Sequence, residues 1–192
     1  VDLLRAARLP IALRDCRVNT YQPRTESQTK ARQAAIGMVG RAKALPGMLR
    51  GFSLFGKRGT MKTGLFVATA RALLEKGYRV RYIELGEALE TIKSQFGTLY
   101  AGSMLTHLST VPVLFLDEIT HHSRTEWAIE QLRTVIGSRW KAQLLTCTAG
   151  NATSESELIS ILGGGHEAEM IVSRLHDFAP PIFVSGPDER RT

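Results

Sequence analysis

From residue 51 onward, apolar positions alternate between two rhythms. Short apolar runs at 51–55, 78–85, 111–116, 143–148 and 182–185 read as strands, and 111–116 has almost no polar member, as in a strand buried on both faces. Between them, helical spacing predicts helices. Leu65, Phe66, Ala70, Leu73 and Leu74 lie on one over 63–76, stopped by Gly77. A second covers 87–96 and closes at Gly97, and a third lies around Met104, Leu105 and Leu108. Trp127, Ile129, Leu132, Val135 and Ile136 mark a long amphipathic helix over 125–140. Shorter helices are expected at 156–162 and 168–176, with the glycine run 163–165 as a loop between them. Ahead of this alternation, 26–40 predicts a helix capped by Thr25 or Ser27, with Ala31, Ala34, Ala35, Met38 and Val39 as its apolar face. Pro46-Gly47 breaks the chain after it, and residues 1–25, with Pro10, Pro23 and scattered arginines, read as an irregular leader.

Five strands alternating with helices predict an α/β fold: three layers, with a mostly parallel five-stranded sheet covered on both faces. Ligands in such sheets sit at the carboxyl ends of the strands. The expected organisation is a basic leader and first helix, 1–45, packed on a core of 46–192. The 192 residues, 43 % of them hydrophobic, suit one such domain with a sizeable core. The chain opens on Val1 rather than methionine, which reads as a fragment or processed chain.

Charge adds one feature. Residues 1–50 carry ten Lys/Arg against three Asp/Glu, whereas 51–192 carry fifteen of each, so the whole net charge of +7 lies ahead of the first strong motif. Such an arm can attract phosphate backbones by counterion release, or simply be solvated or docked on an acidic partner. No run approaches the ~20 apolar residues of a membrane span. Cys16 and Cys147 lack ligand spacing and read as reduced thiols of a cytoplasmic protein. The adjacent His121-His122 pair would face two directions on a helix and does not suggest a metal site.

The chemistry gathers at two places. Gly56-Lys57-Arg58-Gly59-Thr60-Met61-Lys62-Thr63 follows a strand and opens a helix, the context in which GxxxxGK[ST] forms a phosphate-binding loop. Backbone amides and the helix dipole would converge on the phosphates, Lys62 would reach the β- and γ-phosphates, and the Thr63 hydroxyl would coordinate Mg²⁺. Met61 departs from the pattern, which has glycine there; a positive φ forced on methionine costs about 1–3 kcal/mol. Downstream, the apolar strand 113–116 ends in Asp117-Glu118. In the Walker B reading this strand lies beside the phosphate-loop strand, with Asp117 near Mg²⁺ and its waters and Glu118 as general base toward the attacking water.

The succession of motifs resembles the DnaC/IstB-type AAA+ ATPases. Asp117-Glu118-Ile119, Thr125-Glu126-Trp127, Arg139-Trp140 and Ser173-Arg174-Leu175 are similar to that family's pattern, as is Leu9-Pro10 with Arg14-Asp15-Cys16 and Tyr21 ahead of the core. The resemblance implies ATP/ADP and Mg²⁺ as cofactors, and Arg174 as an arginine finger reaching the γ-phosphate held by a neighbouring subunit. It implies Asn151, or in another register Thr148, as the polar sensor, and Arg190 as a second phosphate sensor. Glu169-Met170 stands where the family often has Glu-Arg, so one basic contact is missing.

The resemblance further implies a homo-oligomer with nucleotide at its interfaces, acting as a loader of a replicative helicase on DNA, single-stranded DNA favoured. The alternatives are an IstB-like ATPase working with a transposase on duplex DNA, and a nucleotide-dependent adaptor with little hydrolysis, for which Met61 is the motive. A P-loop kinase fits less well, because the Asp-Glu pair and the candidate finger suit water as acceptor.

Overall fold

The computed structural model describes residues 3–41, 51–121 and 125–188; the Pro46-Gly47 break, His122 and Arg190 lie outside the described residues. The leader holds a short helix α1 (Leu3–Ala6) and a single 3-10 turn, Ile11–Leu13. Then come α2 (Glu26–Arg41), β1 (Ser53–Phe55), α3 (Lys62–Glu75), β2 (Val80–Glu84), α4 (Leu85–Ser94), α5 (Ser103–Thr110) and β3 (Val113–Asp117). The chain continues through α6 (Glu126–Lys141), β4 (Leu145–Gly150), α7 (Glu155–Ile161), α8 (Gly165–Phe178) and β5 (Ile182–Phe183).

The strands form one sheet in the order β2-β3-β4-β1-β5, with every neighbouring pair parallel. This corrects one expectation. The strand ending in Asp117 does not lie beside the phosphate-loop strand, because β4 is inserted between β1 and β3 and pairs with both. Glu84 is level with Asp117, Leu116 with Thr148 and Phe55 with Gly150, so the strand ends still finish at one end of the sheet. The inserted strand adds a polar residue, Asn151, to that end.

Strand side chains alternate between two faces. Leu54, Tyr82, Val113, Phe115 and Cys147 pack with the leader, α2 and α3, while Phe55, Ile83, Leu114 and Leu116 pack with residues of α4 to α8. On the first face the Phe66 ring of α3 meets Phe52, Tyr82 and Phe115 at centroid distances of 5.9, 6.2 and 4.8 Å, mostly edge to face. Helices on both faces complete the three layers.

The leader is more ordered than its composition suggests. Ala7, Leu9, Val18 and Tyr21 are buried in the same cluster as α3 and the strands. The Tyr82 N–H donates to the Ala7 carbonyl at 2.9 Å, so the leader covers part of edge strand β2 that would otherwise present open hydrogen-bonding groups. Thr25, rather than Ser27, caps α2 by accepting from the Gln28 N–H, while Ser27 Oγ accepts from the Ser185 N–H just beyond β5. Helix α8 starts at Gly165 and absorbs the last glycine of the run expected to be a loop.

Arg139 on α6 is fully buried. Its guanidinium donates to the carbonyls of Leu108, Val111 and Leu145 and to Thr146 Oγ, at 2.7–2.8 Å, stitching the end of α5 and the approach to β3 to β4. Burial lowers its pKa to about 10, so it remains a cation at neutral pH. Cys16 and Cys147 are free thiols, and burial pushes the Cys147 thiol up to about 12. Among the described residues no helix is long and apolar enough to cross a membrane.

Candidate nucleotide site

Strand β1 delivers the chain into the loop, where the Gly56 N–H donates to Gly150 O on β4 at 3.2 Å. The loop ends at Met61, with φ 61° and ψ 17°. Methionine therefore occupies the left-handed conformation that glycine takes at little cost, with a strain of about 1 kcal/mol. At Gly59 (φ 82°) any side chain would collide with the Asp188 carboxylate, which brings the segment after β5 against the loop. Lys62 opens α3 and is 7 % exposed; its ammonium donates to Gly56 O and Lys57 O at 2.7 Å and to Thr60 Oγ1 at 3.3 Å.

The end of β3 carries the carboxylates. Asp117 is 2 % exposed and accepts from Tyr82 Oη and from the Glu118 N–H, each at 2.7 Å. Burial raises its pKa, opposed by those two hydrogen bonds, by the charge of Lys62 and by the Thr63 hydroxyl. Tyr82 is held well above its ordinary range by burial and then by the Asp117 charge, so it remains a donor. Glu84, level with Asp117, is also raised, first by burial and then by the charges of Asp117 and Glu118.

Glu118 sits at φ 51° and accepts from Asn151 Nδ2 at 2.7 Å, while the Asn151 N–H donates to Thr120 Oγ1 at 2.6 Å. Thr148 shares a buried 2.8 Å hydrogen bond with Ser53 and does not face the cleft. Of these two residues, Asn151 and not Thr148 meets Glu118.

These elements enclose a cleft of about 540 Å³ lined by Arg58, Gly59, Met61, Lys62, Thr63 and Gly64 together with Leu13, Glu118 and Asn151. Gly56, Lys57 and Thr60 do not line it; they present the oxygens that hold Lys62. Asp117 lies behind it, in contact with Thr63. The residues fit a magnesium nucleotide. One hydroxyl and one carboxylate meet behind a helix N-terminus, and mutually repelling strand-end carboxylates suit a divalent cation. No group of three or more His, Cys, Asp or Glu side chains arranged to hold a metal occurs among the described residues.

Arg174 is not brought to this cleft. Its guanidinium lies 5.8 Å from the Trp140 ring centroid and beside Gly137, on the α6–α8 face. Trp127, one of the apolar residues that mark α6, is half-buried and packs against the core on that face; Phe96 approaches it edge-on at 6.0 Å and Lys93 lies 5.2 Å from its ring centroid. Sequence reasoning missed Tyr82, Leu13, Thr120 and Asp188. Only Tyr82 left a trace: it is two residues before the end of β2, on the side that Asp117 shares once the two strands are in register.

A five-stranded parallel sheet with one strand inserted between the phosphate-loop strand and the carboxylate-bearing strand defines a P-loop domain of the AAA+ class. The chain is similar to the DnaC-type AAA+ ATPases. It is 30 % identical over 149 residues to the replicative helicase loader DnaI of Bacillus subtilis (strain 168), a match covering 73 % of this chain and 48 % of that protein. The chain thus spans about half the length of that curated relative. Among solved structures, the DnaC helicase loader superposes with a TM-score of 0.80 at 23 % identity, covering 92 % of this chain and 100 % of that one. AMPPCP-bound DnaA from Aquifex aeolicus superposes with a TM-score of 0.73 at 17 % identity, covering 95 % and 53 %. No protein-family model matches the chain.

Proposed function

We propose that the cleft binds ATP and ADP with Mg²⁺, hydrolyses ATP, and uses the change of nucleotide state as a helicase loader does, to alter grip on a replicative helicase and on single-stranded DNA. The observation that carries this reading is the convergence of Lys62, Thr63, Glu118 and Asn151 on one cleft, with Asp117 buried directly behind Thr63.

In this reading the amides at the start of α3 and the Lys62 ammonium hold the terminal phosphates. Thr63 and Asp117 hold Mg²⁺, which when bound neutralises charge on the phosphate oxygens. Glu118 accepts a proton from water or orients it, and Asn151 keeps that carboxylate turned toward the cleft. Arg174, on the α6–α8 face of its own chain, serves a neighbouring copy's nucleotide, so turnover depends on assembly; Arg190 contributes as a second phosphate sensor. The leader's excess of basic residues supports contact with the DNA backbone.

Calorimetric titration with Mg-ADP tests the foundation: saturable uptake is expected, weakened about tenfold or more in Lys62→Ala. Well-folded protein that takes up no nucleotide would remove the reading. ATP-dependent assembly followed by light scattering, with retention of a single-stranded oligonucleotide on filters, tests the loader part. For Arg174→Ala, turnover should be lost while nucleotide uptake by each chain is retained.

A further inference from the structure

Among the described residues two arginines are buried against the sheet, and their surroundings differ. Arg139 has an acceptor for each of its nitrogens. Arg81, on edge strand β2, is 8 % exposed, and its buried Nε–H has no acceptor. A buried donor left unmade costs roughly 1–3 kcal/mol, more on a charged group, so such an orphan marks the place of an absent acceptor.

Arg81 lines a cavity of about 290 Å³ together with Arg79 and His107, and with Leu3, Leu74 and Val111. Its walls are mostly apolar. The charges around it are mostly of one sign: burial and then the Arg8 charge lower the basicity of Arg81, opposed by Glu87, and burial with the charges of Arg81, Arg79 and Arg139 lowers that of His107. Glu87 is itself engaged by Arg8 at 2.8 Å. The cavity lies where β2 begins, whereas the nucleotide cleft lies where the strands end, so it is a separate place in the fold.

We propose that this cavity receives a carboxylate carried on an apolar stem: an acidic side chain, flanked by apolar residues, from a segment of a partner protein. A guanidinium in a low-dielectric setting matches a carboxylate in charge and in donor geometry. The apolar walls suit the flanking side chains and not a hydrated phosphate chain. The inference is independent of nucleotide binding.

The test is nuclear magnetic resonance on ¹⁵N-labelled protein, reading the Arg81 Nε–H signal and the His107 ring while the peptide acetyl-Leu-Glu-Leu-amide is added. A saturable shift of Arg81 Nε–H is expected, with His107 titrating at higher pH in the complex because the carboxylate favours its charged form. The glutamine counterpart should bind about tenfold more weakly. Arg81→Lys, which keeps the charge, should weaken binding of the acidic peptide severalfold, and Arg81→Met should abolish it. Several outcomes would overturn the proposal: no shift with the acidic peptide, equal binding of the glutamine peptide, butyrate binding as tightly as the peptide, or a response only to inorganic phosphate or an oligonucleotide. If Arg81→Met fails to fold, the comparison of the two peptides on the parent protein decides alone.

Discussion

Asn151 donates its side-chain amide to the Glu118 carboxylate at 2.7 Å, joining the ends of β4 and β3 across the cleft. The proposed base is therefore aimed by the strand that the AAA+ topology inserts beside it. Glu118→Gln should lower ATP turnover by roughly 10²–10⁴-fold while leaving Mg-ATP affinity nearly intact. Asn151→Ala should also act on turnover more than on affinity, by about tenfold or more, because a misaimed base loses alignment with the water. Phosphate release and calorimetry, run side by side, separate the two quantities. Equal loss of affinity and turnover in Glu118→Gln would argue that the carboxylate only shapes the pocket.

Asp117 combines burial with a functional charge. Its pKa is raised, mainly by burial, so the folded protein holds this proton more tightly than the unfolded chain does. The associated stability is present below the ordinary value of 3.8 and is lost as pH rises through the raised value. Asp117→Asn should therefore melt above the parent protein at neutral pH, with the gain shrinking toward about pH 4. The same variant should lose magnesium-dependent nucleotide uptake. Thermal unfolding across pH without nucleotide, compared with calorimetry in magnesium, checks both halves.

Tyr82→Phe isolates the hydrogen bond beneath that carboxylate. The ring keeps its packing against Phe66, at a centroid distance of 6.2 Å, while Asp117 loses a 2.7 Å donor that stabilises its charged form. Asp117 should then titrate higher, and the pH below which Mg-nucleotide affinity falls should move upward. An affinity profile across pH that superposes on the parent's would show that the phenol only fills space.

Met61 offers a stability prediction with the opposite sign to most loop changes. At φ 61° glycine is unstrained, so Met61→Gly should stabilise the protein by about 0.5–1 kcal/mol, and Met61→Val should destabilise it. Urea unfolding measures both. Nucleotide affinity in Met61→Gly should be no weaker than in the parent, since the loop already has the shape that glycine would take.

Arg139→Met should cost about 3–5 kcal/mol, because three buried carbonyls and Thr146 lose their donor together. Arg139→Lys should rescue little of this, since an ammonium cannot span four acceptors lying in different directions. The midpoint of urea unfolding gives the answer without any assay of function.

By itself the sequence determined the alternation of strands and helices, the turn that places Lys62 and Thr63 at a helix start, the carboxylates at the end of a strand, and the methionine at position 61 where the loop pattern has glycine. These features are local, carried by the spacing of apolar residues and the identity of one or two neighbours. Only the tertiary structure decided that β4 separates β1 from β3, that Asn151 and not Thr148 meets Glu118, that Tyr82 sits beneath Asp117, and that Arg139 is saturated while Arg81 is not. Alternation tells which face of a strand is apolar but not which strand lies beside it. Those partners come from parts of the chain that meet only when the sheet is assembled, so the hydrogen bonds between them are set by strand order and register.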